Sequence, residues 1–135
     1  MRREDVFDYC GGRPGATEEY PFGDSVAVFK VGGKIFAICS VEDDPPQISL
    51  KCDPLLAEAL RASHPAVRPG YHLNKRHWNT VTLDGSVSDD EIEEWIDHSY
   101  DLIVAKLPRR EEPAAVRRRG AGRARGPAGG DGRAR

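Results

Sequence analysis

The sequence lacks any long run of apolar residues. Its apolar stretches are only a few residues long, whereas a helix that crosses a bilayer needs about 20 consecutive, mostly apolar residues. The sequence therefore predicts neither a transmembrane helix nor the apolar core of a signal peptide. We expect a cytoplasmic protein that has no membrane partner.

Cysteine is also scarce. The three cysteines, Cys10, Cys39 and Cys52, are odd in number, and no two of them have CxxC spacing. Such a set favours neither a disulfide framework nor a zinc site. We therefore expect buried free thiols in a reducing compartment, with a metal or redox role as the alternative.

Motifs of catalysis and of nucleotide chemistry are absent as well. Gly32-Gly33 is too short for a phosphate-binding loop, and no predicted helix follows it. Ser49 and Cys52 lack the strand–turn–helix context of a nucleophile elbow, and His72 and His77 lack the further ligands that zinc requires. We therefore expect a protein that is not an enzyme, with no catalytic residue, no cofactor and no metal site.

The charge that is present is unevenly distributed. The chain has 135 residues, of which 39% are hydrophobic and 31% charged, which fits a single globular domain. Residues 1–108 carry a net charge of −8, whereas residues 109–135 contain nine arginines and three acids, a net charge of +6. We predict a domain over residues 1–108 and a tail over residues 109–135. The tail is rich in Arg, Gly, Ala and Pro and should be disordered, because it has almost nothing to bury against the roughly 1–2 kcal/mol per residue that ordering costs.

Four strands are predicted from alternation and turn chemistry. Residues 25–31 and 34–40 flank Gly32-Gly33, which is a two-residue hairpin signal. Residues 47–51 and 78–83 supply two more strands. In the return strand of the hairpin, residues two apart should share a face: Ile35, Ala37 and Cys39 on one side, and Phe36 and Ile38 on the other.

Three helices are predicted near residues 3–10, 54–62 and 89–107. The second begins with Asp53 as N-cap and a proline in its first turn, and the third begins with a capping box at Ser88. The second helix should bury an apolar stripe formed by Leu55, Leu56, Ala59 and Leu60.

The element order predicts the fold class. It reads helix, hairpin, strand, helix, long loop, strand, helix, and strands joined by short turns favour an antiparallel sheet. We therefore predict an α+β fold, a two-layer sandwich with the helices on one face of the sheet. Its core should largely bury Phe36, Trp78, Trp95 and Ile96.

The candidate binding site is the loop at residues 69–77, which we call the central loop. It contains His72, Asn74, Lys75, Arg76 and His77, and Lys51 ends the strand before the second helix. Lysine and arginine neutralise phosphates, while asparagine and histidine can donate to phosphates or to base edges.

The hairpin adds Lys30 and Lys34 to this candidate surface. The alternative is that Lys75 and Arg76 only balance the many surface acids.

Several segments of the sequence resemble the MmcQ/YjbR family of small bacterial proteins. They include Tyr20-Pro21-Phe22-Gly23, Leu50-Lys51-Cys52-Asp53-Pro54 and the run at residues 69–81, and the resemblance extends over about residues 4–107. It implies a frataxin-like (CyaY-like) sandwich and a double-wing DNA-binding motif. It implies no catalytic residue.

Two functions of different classes remain open from the sequence. The first is a monomeric DNA-binding module that contacts phosphates through the central loop and the Arg-rich tail, weakly and in a salt-sensitive way. The second is an adaptor without a nucleic-acid role, in which the same loop binds a protein or a small anion.

Overall fold

The computed structural model describes residues 1–70 and 73–113. The predicted helices and strands are all present, and two short strands are added in segments that the sequence predicted to be irregular. In chain order the elements are α1 (Arg3–Gly11), β1 (Thr17–Glu19), β2 (Val26–Val31), β3 (Lys34–Ser40), β4 (Gln47–Lys51), α2 (Pro54–Ser63), β5 (Val67–Pro69), β6 (Trp78–Thr82) and α3 (Asp89–Val104), followed by a 3-10 turn (Arg109–Glu111).

The six strands form one antiparallel sheet in the order β1-β2-β3-β4-β6-β5. The helices lie together on one face of it: α3 packs on β2, β3 and β4, and α2 packs on β5 and β6. On the same face, Phe7 of α1 makes an edge contact with the Phe29 ring at 5.4 Å between centroids. The predicted two-layer α+β sandwich is therefore confirmed.

A β-bulge breaks the alternation of β3. Phe29 is paired with Ala37 and Lys30 with Ile35, so Phe36 is an extra residue without a partner in β2. Phe36 and Ala37 are both buried among the helices as a result. The prediction that these two residues lie on opposite faces is wrong, because period-two counting cannot anticipate an inserted residue.

The predicted core is confirmed at Phe36, Trp95 and Ile96, whereas Trp78 falls outside the fully buried set. Trp78 is only half-buried, because it pairs with Lys51 on the face of the sheet that carries no helix. Its neighbour Asn79 occupies the buried position instead. Alternation showed which residues share a face of β6 but not which face the helices cover.

The predicted apolar stripe of α2 is confirmed only at Leu60, which packs against the core, and is wrong at Leu55, Leu56 and Ala59, which are exposed. Leu55 is 79% exposed and Leu56 37% exposed, while Ala57 is fully buried. The helix lies over the edge strand β5 and its neighbour β6, where a small residue fits the contact. The predicted N-cap is confirmed, since Oδ1 of Asp53 accepts hydrogen bonds from the amides of Leu55 and Leu56.

The ordered chain extends past the predicted domain boundary at residue 108. Arg109–Glu111 forms a 3-10 turn, and the ring of Pro113 packs against Gly15, which has a φ of 72°. The prediction of disorder is therefore wrong for residues 109–113, because the proline ring finds a surface to bury. The rest of the predicted tail, residues 114–135, lies outside the described residues.

The structure also bears on the predictions made from the few cysteines and from the lack of long apolar runs. All three cysteines are free and buried, as predicted. Among the residues described, no helix has the length and apolar character needed to cross a membrane.

Candidate functional site

The topology brings cationic side chains from four segments to one end of the sheet. At this end β4 finishes at Lys51, β6 starts at Trp78 beside it, and β3 starts at Lys34 after the hairpin turn. The segment after α3 reaches the same end, since Leu107 packs over Gly32 of the hairpin. We call five cations the basic end: Lys34, Lys51, Lys75, Arg76 and Lys106.

The opposite end of the sheet is acidic. It holds the β3–β4 loop, the turn after β6 and the N-terminus of α3. These segments carry Glu42, Asp43, Asp44, Asp84, Asp89 and Asp90, which we call the acidic end. Six of the nineteen acidic side chains of residues 1–108 are therefore separated from the basic end by the length of the sheet.

The cations of the basic end are not neutralised by ion pairs. None of the five makes an ion pair with a carboxylate in residues 1–70 and 73–113, whereas Lys30, outside this set, pairs with Glu19 at 3.1 Å. Lys75 and Arg76 are both exposed. Within the described structure, ion pairing with surface acids therefore does not account for Lys75 and Arg76.

The central loop is tied back onto itself and onto β6. The amide of Gly70 donates to the carbonyl oxygen of Trp78 at 2.9 Å. The amide of His77 donates to the carbonyl oxygen of Asn74 at 3.2 Å. Oδ1 of Asn74 accepts from the amide of Arg76 at 3.0 Å. Position 70 requires glycine, since a Cβ there would lie 2.8 Å from Cβ of Trp78.

Arg61 of α2 connects the helix to the central loop through side-chain hydrogen bonds. Its Nε donates to Oδ1 of Asn79 at 2.7 Å, and its Nη2 donates to the carbonyl oxygen of Lys75. A third tie comes from β4, where the amide of Cys52 donates to the carbonyl oxygen of His77 at 2.7 Å. Arg61 was not among the predicted site residues, because an arginine on the polar side of a helix gives no local sign of a tertiary contact.

Lys51 has the most unusual environment among the predicted site residues. Its pKa is lowered to about 8, first because the ammonium group of Lys106 lies against it, then because it is partly buried, and further because Lys34 adds a third positive charge. Lys51, Lys106 and Lys34 come from three different elements, and Lys106 was not among the predicted site residues.

The other predicted site residues lie in the central loop. Lys75 and Arg76 are exposed, and Nζ of Lys75 is 3.5 Å from the carbonyl oxygen of Gly70. His77 is half-buried. Asn74 uses its side-chain oxygen to form the turn. His72 lies outside the described residues.

The thiol and imidazole groups near this site have environments that do not activate them. Burial, followed by the charge of Asp53, raises the pKa of the Cys52 thiol to about 11, so the thiol is protonated at neutral pH. Burial lowers the pKa of His98, whose Nε2 accepts from the amide of Asp53 at 3.3 Å. In the described ranges, no cluster of three or more His, Cys, Asp or Glu residues could hold a metal ion.

Known proteins share this fold and much of this sequence. The YjbR family model matches residues 12–102. The protein of Escherichia coli (strain K12) named Uncharacterized protein YjbR is 39% identical over 116 residues, which cover 86% of this chain and 98% of that protein.

Solved structures agree with this result. The crystal structure of a Deinococcus radiodurans protein with domain DUF419 has a TM-score of 0.76 and 41% identity, covering 80% of this chain and 83% of that one. A crystal structure from Pseudomonas syringae has a TM-score of 0.67 and 30% identity, covering 76% of this chain and 99% of that one. The chain belongs to the YjbR family.

Proposed function

We propose that this protein is a non-catalytic, cytoplasmic, monomeric binder of duplex DNA that contacts phosphates through the basic end. The observation that carries the proposal is the group of five cations, drawn from four segments, which have no ion-pair partner in the described residues. Cations free of carboxylates are available to replace the counterions of a phosphate backbone.

The net negative charge of residues 1–108 is compatible with this proposal because the charge is polarised along the sheet. A seven-residue strand such as β3 spans about 20 Å. At physiological ionic strength the Debye length is about 8 Å, so the acidic end is largely screened at the position of the basic end. At low salt its repulsion would reach further.

The central loop is suited to hold phosphate-binding groups in fixed directions. It is tied to α2 by Arg61, to β4 through the amide of Cys52, and to β6 through the amide of Gly70. Because the loop is already ordered, Lys75 and Arg76 would lose little conformational freedom of the backbone on binding. The arginines of residues 109–135 would add sequence-independent attraction.

One observation favours the alternative, a module that binds a small anion without a nucleic-acid role. The charges of Lys106 and Lys34 both act on Lys51 and lower its pKa. Positive charge concentrated around one side chain suits a single compact anion better than successive phosphates along a duplex.

The decisive experiment compares DNA binding by a chain ending at Pro113 with binding by its Lys75→Glu/Arg76→Glu variant. Binding of a fluorescent duplex is measured by anisotropy across a salt series starting at about 50 mM. The variant should bind at least about tenfold more weakly and show a log–log salt slope smaller by about two, because two side chains no longer neutralise phosphates. Its free energy of unfolding should stay within about 0.5 kcal/mol of the parent.

Arg2→Glu/Arg3→Glu provides a control with the same change in net charge, placed at the N-terminus of α1. It should retain most of the affinity if the basic end makes the contact. If both variants lose the same DNA affinity, the loss comes from the change in net charge and not from the position of Lys75 and Arg76. Unchanged binding in Lys75→Glu/Arg76→Glu, together with a clear loss of stability, would mean that the central loop is structural only.

A further inference from the structure

Three lysines converge at the point where β3, β4 and α3 are joined by one buried serine. The amide of Lys51 donates to Oγ of Ser99 at 2.9 Å, and that hydroxyl donates to the carbonyl oxygen of Phe36 at 2.6 Å. Lys34 precedes Phe36 by two residues. Lys106 follows Ser99 by seven residues, which is about two helical turns. The serine therefore fixes the relative position of the three segments that carry these lysines.

The resulting cluster is electrostatically uncompensated. Leu107 packs over Gly32, so Lys106 lies next to the hairpin that carries Lys34. The charge of Lys106, partial burial and the charge of Lys34 together lower the pKa of Lys51. None of the three has an ion pair with a carboxylate in the part of the chain that the structure describes. An anion bound among these like charges would relieve their repulsion.

The end of α3 does not account for this arrangement by itself. A lysine just after a helix interacts favourably with the negative end of the helix dipole, which would explain Lys106. Lys51 belongs to a strand, and Lys34 follows the hairpin turn. The helix dipole therefore explains the position of Lys106 but not the positions of Lys51 and Lys34.

We infer that Lys34, Lys51 and Lys106 form a binding site for a single phosphate group. Each ammonium group has three N–H donors and no acceptor, so three of them can surround a tetrahedral oxyanion. A phosphomonoester carries a charge of about −1.5 to −2 at pH 7, so it would neutralise more of the three positive charges than a carboxylate. The phosphate can belong to a small molecule. It can also be a backbone phosphodiester of a nucleic acid, which carries a single negative charge, and in that case the site rests on the proposed function.

Inorganic phosphate is the probe for the site itself. In the full chain, the pKa of Lys51 is followed by NMR of the lysine side chains, in chloride and in phosphate at equal ionic strength. Phosphate should raise the pKa of Lys51 by about one unit or more, because the bound anion stabilises the ammonium form. No movement of the Lys51 signals up to about 50 mM phosphate would overturn the inference.

Substitutions separate this site from the arginines elsewhere in the chain. Lys106→Met should raise the pKa of Lys51 in chloride, since the nearest positive charge is gone, and should weaken phosphate binding about tenfold. Arg2→Gln removes one charge at the N-cap of α1 and should leave both values unchanged. If Lys106→Met binds phosphate with an affinity within twofold of that of the parent, the proposed three-lysine site is wrong.

Duplex DNA then distinguishes the two sources of phosphate. If DNA displaces inorganic phosphate from Lys51, and Lys106→Met weakens DNA binding, the site holds a backbone phosphate. If phosphate binds and DNA does not, the inference stands and the proposed function fails. If DNA binds while the pKa of Lys51 responds to neither anion, the proposed function stands and the three-lysine site is wrong.

Discussion

Nε of Arg61 donates a 2.7 Å hydrogen bond to Oδ1 of Asn79, joining the last turn of α2 to a position of β6 that is only 3% exposed. Nδ2 of Asn79 in turn donates to the carbonyl oxygen of Ala57, one turn earlier in the same helix. Arg61 also reaches the carbonyl oxygen of Lys75. A single helical arginine thus satisfies a buried amide and holds the central loop.

The first prediction concerns this clamp. Arg61→Met should lower the free energy of unfolding by about 1–3 kcal/mol, because it leaves the buried Oδ1 of Asn79 without a donor. Urea denaturation measures the loss. Arg110→Met, at an exposed position of the 3-10 turn, is the control and should change stability by less than about 0.5 kcal/mol. If Arg61→Met also lowers the free energy of unfolding by less than about 0.5 kcal/mol, water replaces the guanidinium as donor to Oδ1 of Asn79 without loss of stability.

The second prediction compares the two tryptophans. Trp95 lies in the core with 8% exposure and packs edge-on against the ring of His64, so Trp95→Ala should cost about 3–5 kcal/mol. Trp78 is half-buried on the helix-free face, so Trp78→Ala should cost about 1–2 kcal/mol. Denaturation of both variants in parallel tests the ranking. Equal losses would mean that something covers the helix-free face in solution.

The contrast between Trp78 and Asn79 shows what the sequence could and could not predict. The β2–β3 hairpin, α2 and α3 were predictable because turn residues, N-caps and periodicity act within a few residues of one another. The helix-covered face of β6 depends on where α2 and α3 pack, which is tertiary information. Likewise β1 and β5 have three residues each, too few for a periodic signal.

The candidate site likewise contains residues that the sequence predicted and one that it did not. Lys51, Lys75 and Arg76 stand near or within a loop that the sequence marks by its composition. Lys106 was missed because the predicted third helix ran to residue 107, whereas α3 ends at Val104 and the chain then turns. A contact between residues 51 and 106 depends on the packing of α3 across the sheet, which no local pattern encodes.

The third prediction is a pH dependence at Lys51. Its pKa is about 8 in the folded protein against an ordinary value of 10.5, so between these values the unfolded chain binds more protons and stability rises with pH. Below about pH 8 the repulsion is fully present. Lys51→Met should therefore be more stable than the parent at pH 7, and this advantage should shrink as the pH rises from 8 toward 10.5.

Comparing parent and variant isolates Lys51 from other groups that titrate at high pH. Burial raises the pKa of the Cys52 thiol to about 11 and raises that of Tyr9 further still, so their contributions to stability are lost above about pH 9 in both proteins. Lys75→Met serves as the matched control and should show no such advantage. A Lys51→Met variant less stable than the parent at pH 7 in low salt would contradict the repulsion.

The fourth prediction concerns the arginines beyond the described fold. A chain ending at Pro113 keeps every described helix and strand and the whole range that the YjbR family model matches, residues 12–102, so the shortened protein should fold. It should nevertheless lose most of the affinity for duplex DNA at about 150 mM salt. Seven of the nine arginines of residues 109–135 are removed with residues 114–135, and the salt slope falls by about 0.9 for each phosphate that is no longer neutralised.

Anisotropy measured on both chains across a salt series tests this prediction. A smaller slope in the shortened chain, with the two affinities converging at high salt, would show that the removed arginines bind phosphates without reading sequence. The residual binding of the shortened chain should then weaken at least about tenfold in Lys75→Glu/Arg76→Glu, because two of the five cations of the basic end are reversed in charge. If the shortened chain binds DNA as tightly as the full chain at every salt concentration, the arginines of residues 114–135 make no contact with the duplex.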